Sequence, residues 1–394
     1  MVKKHDYIET AVIHGGYDTK RMLGSLTPPI FQTSTYTFET AEQGERRFAG
    51  DEEGYIYSRL GNPTVHILEE RIADLENGEK GLAFASGMAA VSAVLIALTK
   101  ANDHIVCSSG LYGCTFGLLS MMKEKYNIDT DYTDMISKDE LRKRIKKETT
   151  VIYVETPINP TMKLIDLQMV AEVAKEFHIP VVVDNTFSSP YLQRPLDFGC
   201  DVVIHSATKY IGGHGDVIAG LVVGKEAFID SVAATTQKDI GGVLSPFDAW
   251  LLLRGLKTLP VRLDRHCENA ERIVEKLKRN NKVSNVYYPS DESNPDYPIM
   301  EKQMKRGGGV ISFEIKGDKK TAQQVLNHLS FLQIAVSLGD AETLIEHPAT
   351  MTHAVIPAAT RQQMGITDQL IRLSVGLEAW QDIWSDLEQA LDRI

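Results

Sequence analysis

Three short stretches of the chain combine residue types that covalent chemistry needs. In IPVVVDNT a continuous apolar run closes on Asp184. A carboxylate there is poorly solvated and needs a cationic or strongly donating partner, although taken alone it reads as the cap of a turn. In DVVIHSATKYIGGHGD a strand delivers Ser206, Thr208 and Lys209 within four residues, ahead of a glycine-rich turn. Desolvation and nearby charge can make a lysine amine neutral and nucleophilic, as Schiff-base chemistry requires; taken alone, such a lysine snorkels at the surface. In FASGMAA, Ser86, Gly87 and Met88 stand where a helix is predicted to start. Free backbone amides and the helix dipole favour an anion there, and a glycine lets it approach closely; an ordinary capped helix start reads the same way. Together they are the parts of a pyridoxal 5'-phosphate (PLP) site: a lysine for an aldehyde, a carboxylate for a pyridinium nitrogen and a cradle for a phosphate.

These residues need a frame that brings strand ends together. From about residue 80 onward, short apolar runs rich in branched residues alternate with segments of helical period, the pattern of a mostly parallel sheet covered by helices. Strands are expected at 82–86, 104–108, 151–155, 180–184, 202–205 and 221–223. Val170, Val173, Ala174 and Phe177 recur at helical spacing and give one apolar face to a helix over 167–178. Ligands in such sheets sit at the carboxyl ends of the strands, where Asp184 and Lys209 fall. Near residue 260 the pattern changes to a long helix over 262–278 and a linker rich in Pro, Asn and Ser over 289–298. A strand over 310–315 follows, and a terminal helix has Trp380, Ile383, Trp384, Leu387 and Leu391 along one face. That suggests a smaller α+β domain over 261–394, after a main domain over 62–260. The first 61 residues, rich in Gly, Pro, Thr and Tyr, cannot bury much alone and are expected to pack as an arm on the main domain or on another subunit.

Composition removes several classes of function. The 394 residues are 43% apolar and 24% charged, enough for a large core. A net charge of −11 without a basic patch argues against nucleic acid and anionic membranes as partners, and the run KDELRKRIKKE reads as a solvated helix face. Cys107, Cys114, Cys200 and Cys267 show neither a zinc spacing nor a disulfide framework, which with no visible export signal points to a reducing, cytoplasmic setting. Residues 81–99 are uncharged, but Gly81, Ser86, Gly87 and Ser92 interrupt them, and a buried strand turning into a buried helix fits better than a membrane span. His205, His214 and Asp216 lack a recognisable metal spacing, so no metal is expected. Gly212, Gly213 and Gly215 are read as serving backbone conformation, and Gly307, Gly308 and Gly309 as a turn before a strand.

SATKYIGGHGD, VVVDNT, FASGMAA, YSRLGNPT and SLGDAETLIEHPATMTH together resemble the Cys/Met-metabolism family of PLP-dependent enzymes over nearly the whole chain. The resemblance implies the α/β architecture of fold type I transferases: a mostly parallel mixed sheet covered by helices, with a smaller C-terminal α+β domain. It also implies a homotetramer built as a dimer of dimers. Carried onto matching positions, Lys209 would hold the cofactor covalently and then move protons, and Asp184 would pair with the pyridinium nitrogen. Gly87, Met88, Ser206 and Thr208 would bind the phosphate, while Tyr57 and Arg59 would reach the phosphate in the partner subunit. Tyr112 would stack on the ring and protonate a departing thiolate, with Arg59 as a cation that favours its phenolate. Arg372, assisted by Ser337, would clamp the substrate carboxylate. Cys114, Lys238, Asp239 and Asp340 resemble the pattern of members that act on methionine. The implied reaction is α,γ-elimination of L-methionine to methanethiol, 2-oxobutanoate and ammonia. The alternatives are elimination from cystathionine or homocysteine, and γ-replacement on an activated homoserine.

Overall fold

The computed structural model of the protein describes residues 5–354 and 356–394. Among the described residues, twelve strands form two sheets. The first contains β1 (Lys80–Phe84), β2 (His104–Ser108), β3 (Asp129–Thr133), β4 (Thr149–Glu155), β5 (Val181–Asp184), β6 (Val202–Ser206) and β7 (Gly220–Gly224). Its order is β1-β7-β6-β5-β4-β2-β3. β7 runs antiparallel to both its neighbours, and β6, β5, β4, β2 and β3 pair in parallel. The middles of the central strands are apolar because helices cover both faces: every residue of β2 is buried, and the three valines of β5 show no exposure. β3, with the sequence DTDYT, is a half-exposed edge strand whose polar residues hide it from an apolar-run search.

The second sheet contains β8 (Val283–Tyr287), β9 (Val310–Ile315), β10 (Gln333–Ile334), β11 (Leu344–Glu346) and β12 (Leu370–Ser374), in the order β10-β11-β12-β9-β8. It is antiparallel apart from β10 and β11. One core lies between this sheet and the helices Leu259–Arg279, Lys319–Asn327 and Trp380–Leu391. Ile383, Trp384, Leu387 and Leu391 enter that core, and Trp380 packs at its margin.

Some element ends differ from the sequence expectation. The first strand covers Lys80–Phe84, two residues earlier than 82–86, because Ser86 is already the N-cap of the helix Gly87–Leu98 and accepts the Ala89 amide at 3.0 Å. The uncharged segment 81–99 is thus a strand and a twelve-residue helix, and among the described residues no helix is long and apolar enough to cross a membrane. The basic run 138–148 is helical only over Lys138–Arg144, since Ile145 is already extended on the way to β4. Three of its six cations form ion pairs: Lys138 with Glu172, Arg142 with Asp139 and Glu176, and Lys146 with Asp131. The helix Leu167–Phe177 ends one residue before His178, which caps it at φ 57°.

Candidate active site

β4 and β5 end at one level, with Glu155 opposite Asp184, while β6, whose Ile204 lies opposite Asp184, runs two residues further to Ser206. Just beyond those ends lies a cavity of about 610 Å³. Its lining includes Gly87, Met88, Tyr112, Cys114, Asp184, Ser206, Thr208, Lys209, Ser337 and Arg372. These ten, together with Ser86, were singled out from the sequence and come together from six separate segments of the chain.

Lys209 sits one helical-type turn past β6, with its amide bonded to the Ser206 carbonyl at 3.2 Å. Its Nζ donates to Ser337 Oγ at 3.0 Å. Burial, followed by the charge of Arg372, holds the amine below the ordinary lysine range, which favours the neutral, nucleophilic form. Ser337 adopts φ 86°, a left-handed conformation that costs a non-glycine residue and is held by the contacts around it. One of these is the bond from Arg372 Nη2 to the Ser337 carbonyl at 2.7 Å.

Asp184 has neutral hydrogen-bond partners. Its Oδ1 accepts from the Thr186 amide at 3.1 Å and the Thr186 hydroxyl at 2.5 Å, and its Oδ2 accepts from Tyr153 at 3.4 Å. Burial raises its pKa above the usual carboxylate range, opposed by the two Thr186 bonds. Thr186 Oγ1 also accepts the Ser206 amide at 2.8 Å, which ties the end of β5 to the end of β6. Gly87 meets the same place: a Cβ on it would lie 2.8 Å from Ser206 Cβ, so only glycine lets this helix start rest on β6. The amides of Gly87 and Met88 precede the first intrahelical bond, from Ala90 N to Ser86 O. Thr208 Oγ1 exchanges bonds with the Ala219 backbone, accepting at 3.0 Å and donating at 3.3 Å.

Tyr112 differs from the expectation. Burial and then Cys114 push its phenol up to about 12, and the cation that opposes this within the chain is Arg372, not Arg59. Arg59 is instead exposed, donating to the Lys238 carbonyl at 2.6 Å and lying 5.7 Å from the Tyr57 ring centre. Tyr57, Arg59, Lys238 and Asp239 are absent from the cavity lining and form a surface group of their own, with Lys238 Nζ 3.7 Å from Asp239. Asp340 is likewise outside the lining, against Gly215. His205 pairs with buried Glu76 at 2.6 Å and His214 with the Gly212 carbonyl at 2.7 Å. Gly213 and Gly215 take φ 67° and 66°, as a turn requires, whereas Gly212 is needed because a Cβ would meet Val217 at 2.9 Å.

Three lining residues carry signals that strand-end reasoning left aside. Glu155 closes VIYVE as Asp184 closes VVVD; it is buried, and its carboxylate accepts the amides of Tyr112 at 2.8 Å and Asn159 at 3.3 Å. Burial and the Asp184 charge push it up to about 8. Asn159 accepts from Arg372 Nη1 at 2.9 Å, and Thr186 is the bridge described above.

The sequence model of the family described as Cys/Met metabolism PLP-dependent enzyme matches residues 9–392. A protein of Fusobacterium nucleatum subsp. nucleatum named L-methionine gamma-lyase is 49% identical over 396 residues, covering 100% of each chain. Another of Lactococcus lactis subsp. cremoris, named cystathionine beta-lyase, is 46% identical over 98% of this chain and 99% of its own. The crystal structure of cystathionine gamma-lyase from Lactobacillus plantarum complexed with L-serine superimposes with a TM-score of 0.92, at 41% identity over 98% of each chain. The residues here fit a PLP group on physical grounds. A half-buried amine of lowered basicity, a half-buried carboxylate with neutral hydrogen-bond partners and a glycine-opened helix start line one cavity.

Proposed function

We propose, for a chain that belongs to the Cys/Met-metabolism family of PLP-dependent enzymes, that it catalyses α,γ-elimination of L-methionine to methanethiol, 2-oxobutanoate and ammonia. The observation that carries this reading is Lys209, Asp184 and Arg372 around one cavity that Cys114 also lines. When bound, PLP supplies an electron sink that makes the substrate's α- and β-protons removable. Lys209 would hold the cofactor aldehyde and, once freed by the substrate amine, would move one proton at a time, taking the α-proton, handing it on, and only then taking a β-proton. Asp184 would keep a proton on the pyridinium nitrogen. Gly87, Met88, Ser206 and Thr208 bind the phosphate, and Arg372 with Ser337 orients the substrate carboxylate. The Cγ–S bond breaks with its electron pair leaving on sulfur, and Tyr112 donates the proton that completes methanethiol. A phenol held near 12 is protonated at neutral pH and so carries the proton to be given. Water then releases ammonia and 2-oxobutanoate. Cys114, Lys238 and Asp239 contribute to substrate choice.

The same reading assigns residues 1–61 to an arm on the partner subunit, 62–260 to the PLP-binding domain and 261–394 to the C-terminal domain. Tyr57 and Arg59 then serve the partner's phosphate, which accounts for their position outside their own chain's cavity. The assembly is a cytoplasmic homotetramer, a dimer of dimers, acting on a small sulfur amino acid without nucleic acid or membrane partners. The relative named cystathionine beta-lyase favours elimination from cystathionine as the second reading, beside which stand elimination from homocysteine and γ-replacement on an activated homoserine. Purified holoenzyme given methionine alone is expected to release 2-oxobutanoate, and Lys209→Ala to lose both the visible cofactor band and at least about 10³-fold of the rate. Turnover of cystathionine or O-acetylhomoserine without 2-oxobutanoate from methionine selects the second reading. A Lys209→Ala protein that keeps its activity overturns the lysine assignment.

A further inference from the structure

Arg372 is 3% exposed, and three acceptors already hold its fork. Nη1 donates to Asn159 Oδ1 at 2.9 Å and lies 2.9 Å from Glu346 Oε1, while Nη2 donates to the Ser337 carbonyl at 2.7 Å. Glu346 is 0% exposed, sits directly opposite Arg372 in the β11–β12 register, and is not part of the cavity lining. Two buried atoms of this pair have no partner: Arg372 Nε and Glu346 Oε2. The guanidinium that lines the cavity is therefore neutralised from behind before any ligand arrives. An incoming carboxylate would leave two anions on one cation in a place shut off from water. Buried excess charge is expensive, and a titratable group beside it relieves that cost by changing its protonation state.

We propose that Glu346 is a positioning residue of the carboxylate subsite, fixing the Arg372 fork and taking up one solvent proton as an anionic carboxylate binds. This rests on Arg372 being the substrate-carboxylate clamp. The step is the carboxylate ligand plus ionised Glu346 plus a proton giving the bound carboxylate and neutral Glu346; no other bond changes. The groups facing Glu346 are Arg372 from β12, Lys209 from the turn after β6, and Thr352, whose hydroxyl donates to Oε1 at 3.0 Å. Around Arg372 stand Tyr112, Tyr210 and His353, the last held down at about 4 by burial and by Arg372 and so neutral at neutral pH. Burial already raises Glu346 and the Arg372 charge opposes it. A second carboxylate on Arg372 weakens that opposition, so binding and protonation favour one another and affinity falls as pH rises.

The test is calorimetry of the holoenzyme with 4-(methylsulfanyl)butanoate, a carboxylate with no amine to react with an aldehyde. It is run at one neutral pH in two buffers of different ionisation enthalpy, with the visible spectrum recorded so that any proton on the cofactor linkage is counted apart. The expected result is net uptake of between about 0.3 and 1 proton per site in the wild type. Glu346→Gln should show no uptake and bind the probe roughly tenfold more tightly. No uptake in the wild type, or uptake that persists in Glu346→Gln, overturns the proposal. Should Glu346→Gln fail to fold, a wild-type affinity that does not weaken with rising pH overturns it equally. Arg372→Leu separates the two readings. Probe binding that survives this change, or a probe that never binds the wild type, removes the Arg372 assignment; binding lost in Arg372→Leu with no wild-type uptake removes only the role of Glu346.

Discussion

Whether a carboxylate at a strand end carries charge is decided by its neighbours, and Glu155 is the residue where this has a measurable consequence. Its ordinary value of 4.5 rises to about 8 because burial and Asp184 disfavour a second anion, while the Tyr112 and Asn159 amides pull the other way. Between those two values the folded chain binds more protons than the unfolded one, so this residue's contribution to stability falls as pH rises through the window. In cofactor-free protein, Glu155→Gln removes that slope. The stability of the variant relative to wild type should improve from acid to mildly alkaline pH, by up to about 1.4 kcal/mol for each pH unit crossed inside the window. Urea unfolding at about pH 5 and about pH 8 checks it, and parallel changes in the two proteins contradict it. Asp184 and Lys209 were legible in the sequence because each follows an apolar run, where a polar residue is either a turn former or a ligand. Glu155 has the same signature, but the amides that occupy its carboxylate come from loops 43 and 4 residues away in the chain, and only folding brings the first of these to it.

At the scale of elements, the helix Gly87–Leu98 shows how a local signal acquires a tertiary reason. Ser86 caps it, as a serine before an apolar run does, and the cap consumes the Ala89 amide while leaving those of Gly87 and Met88 to face the cavity. The glycine is demanded by β6: a Cβ there would press on Ser206. Gly87→Ala is expected to cost about 1–3 kcal/mol of stability by overpacking and to weaken PLP binding to apoprotein about tenfold or more, because helix start and strand end must separate. Equilibrium titration with PLP, with thermal unfolding alongside, measures both; unchanged affinity would show that the cradle tolerates the displacement. Buried strands and amphipathic helices were readable from their periods, and β9 lies at 310–315 as expected. The edge strand β3 was not, since a half-exposed polar strand has no apolar run to declare it.

At the scale of the whole molecule, Tyr57, Arg59, Lys238 and Asp239 gather at the surface, far apart in sequence and outside their own chain's cavity. If the proposed shared site is right, Arg59→Ala and Lys209→Ala damage opposite halves of it. Each variant alone should be nearly inactive, whereas refolding them together should restore activity in about a quarter of the sites, since random pairing gives half the dimers one undamaged site. Activity of the mixture equal to the mean of the two parents would mean that each chain serves itself. The sequence alone determined the family, the cofactor and the alternation of strand and helix, because lysine, carboxylate and glycine-rich segments declare themselves through local composition and period. Only the tertiary structure decided that Arg372 arrives already paired with Glu346 and that Arg372, not Arg59, is the cation opposing the rise in Tyr112 within one chain. Charge and protonation depend on distance and burial through space, and neither follows from separation along a chain.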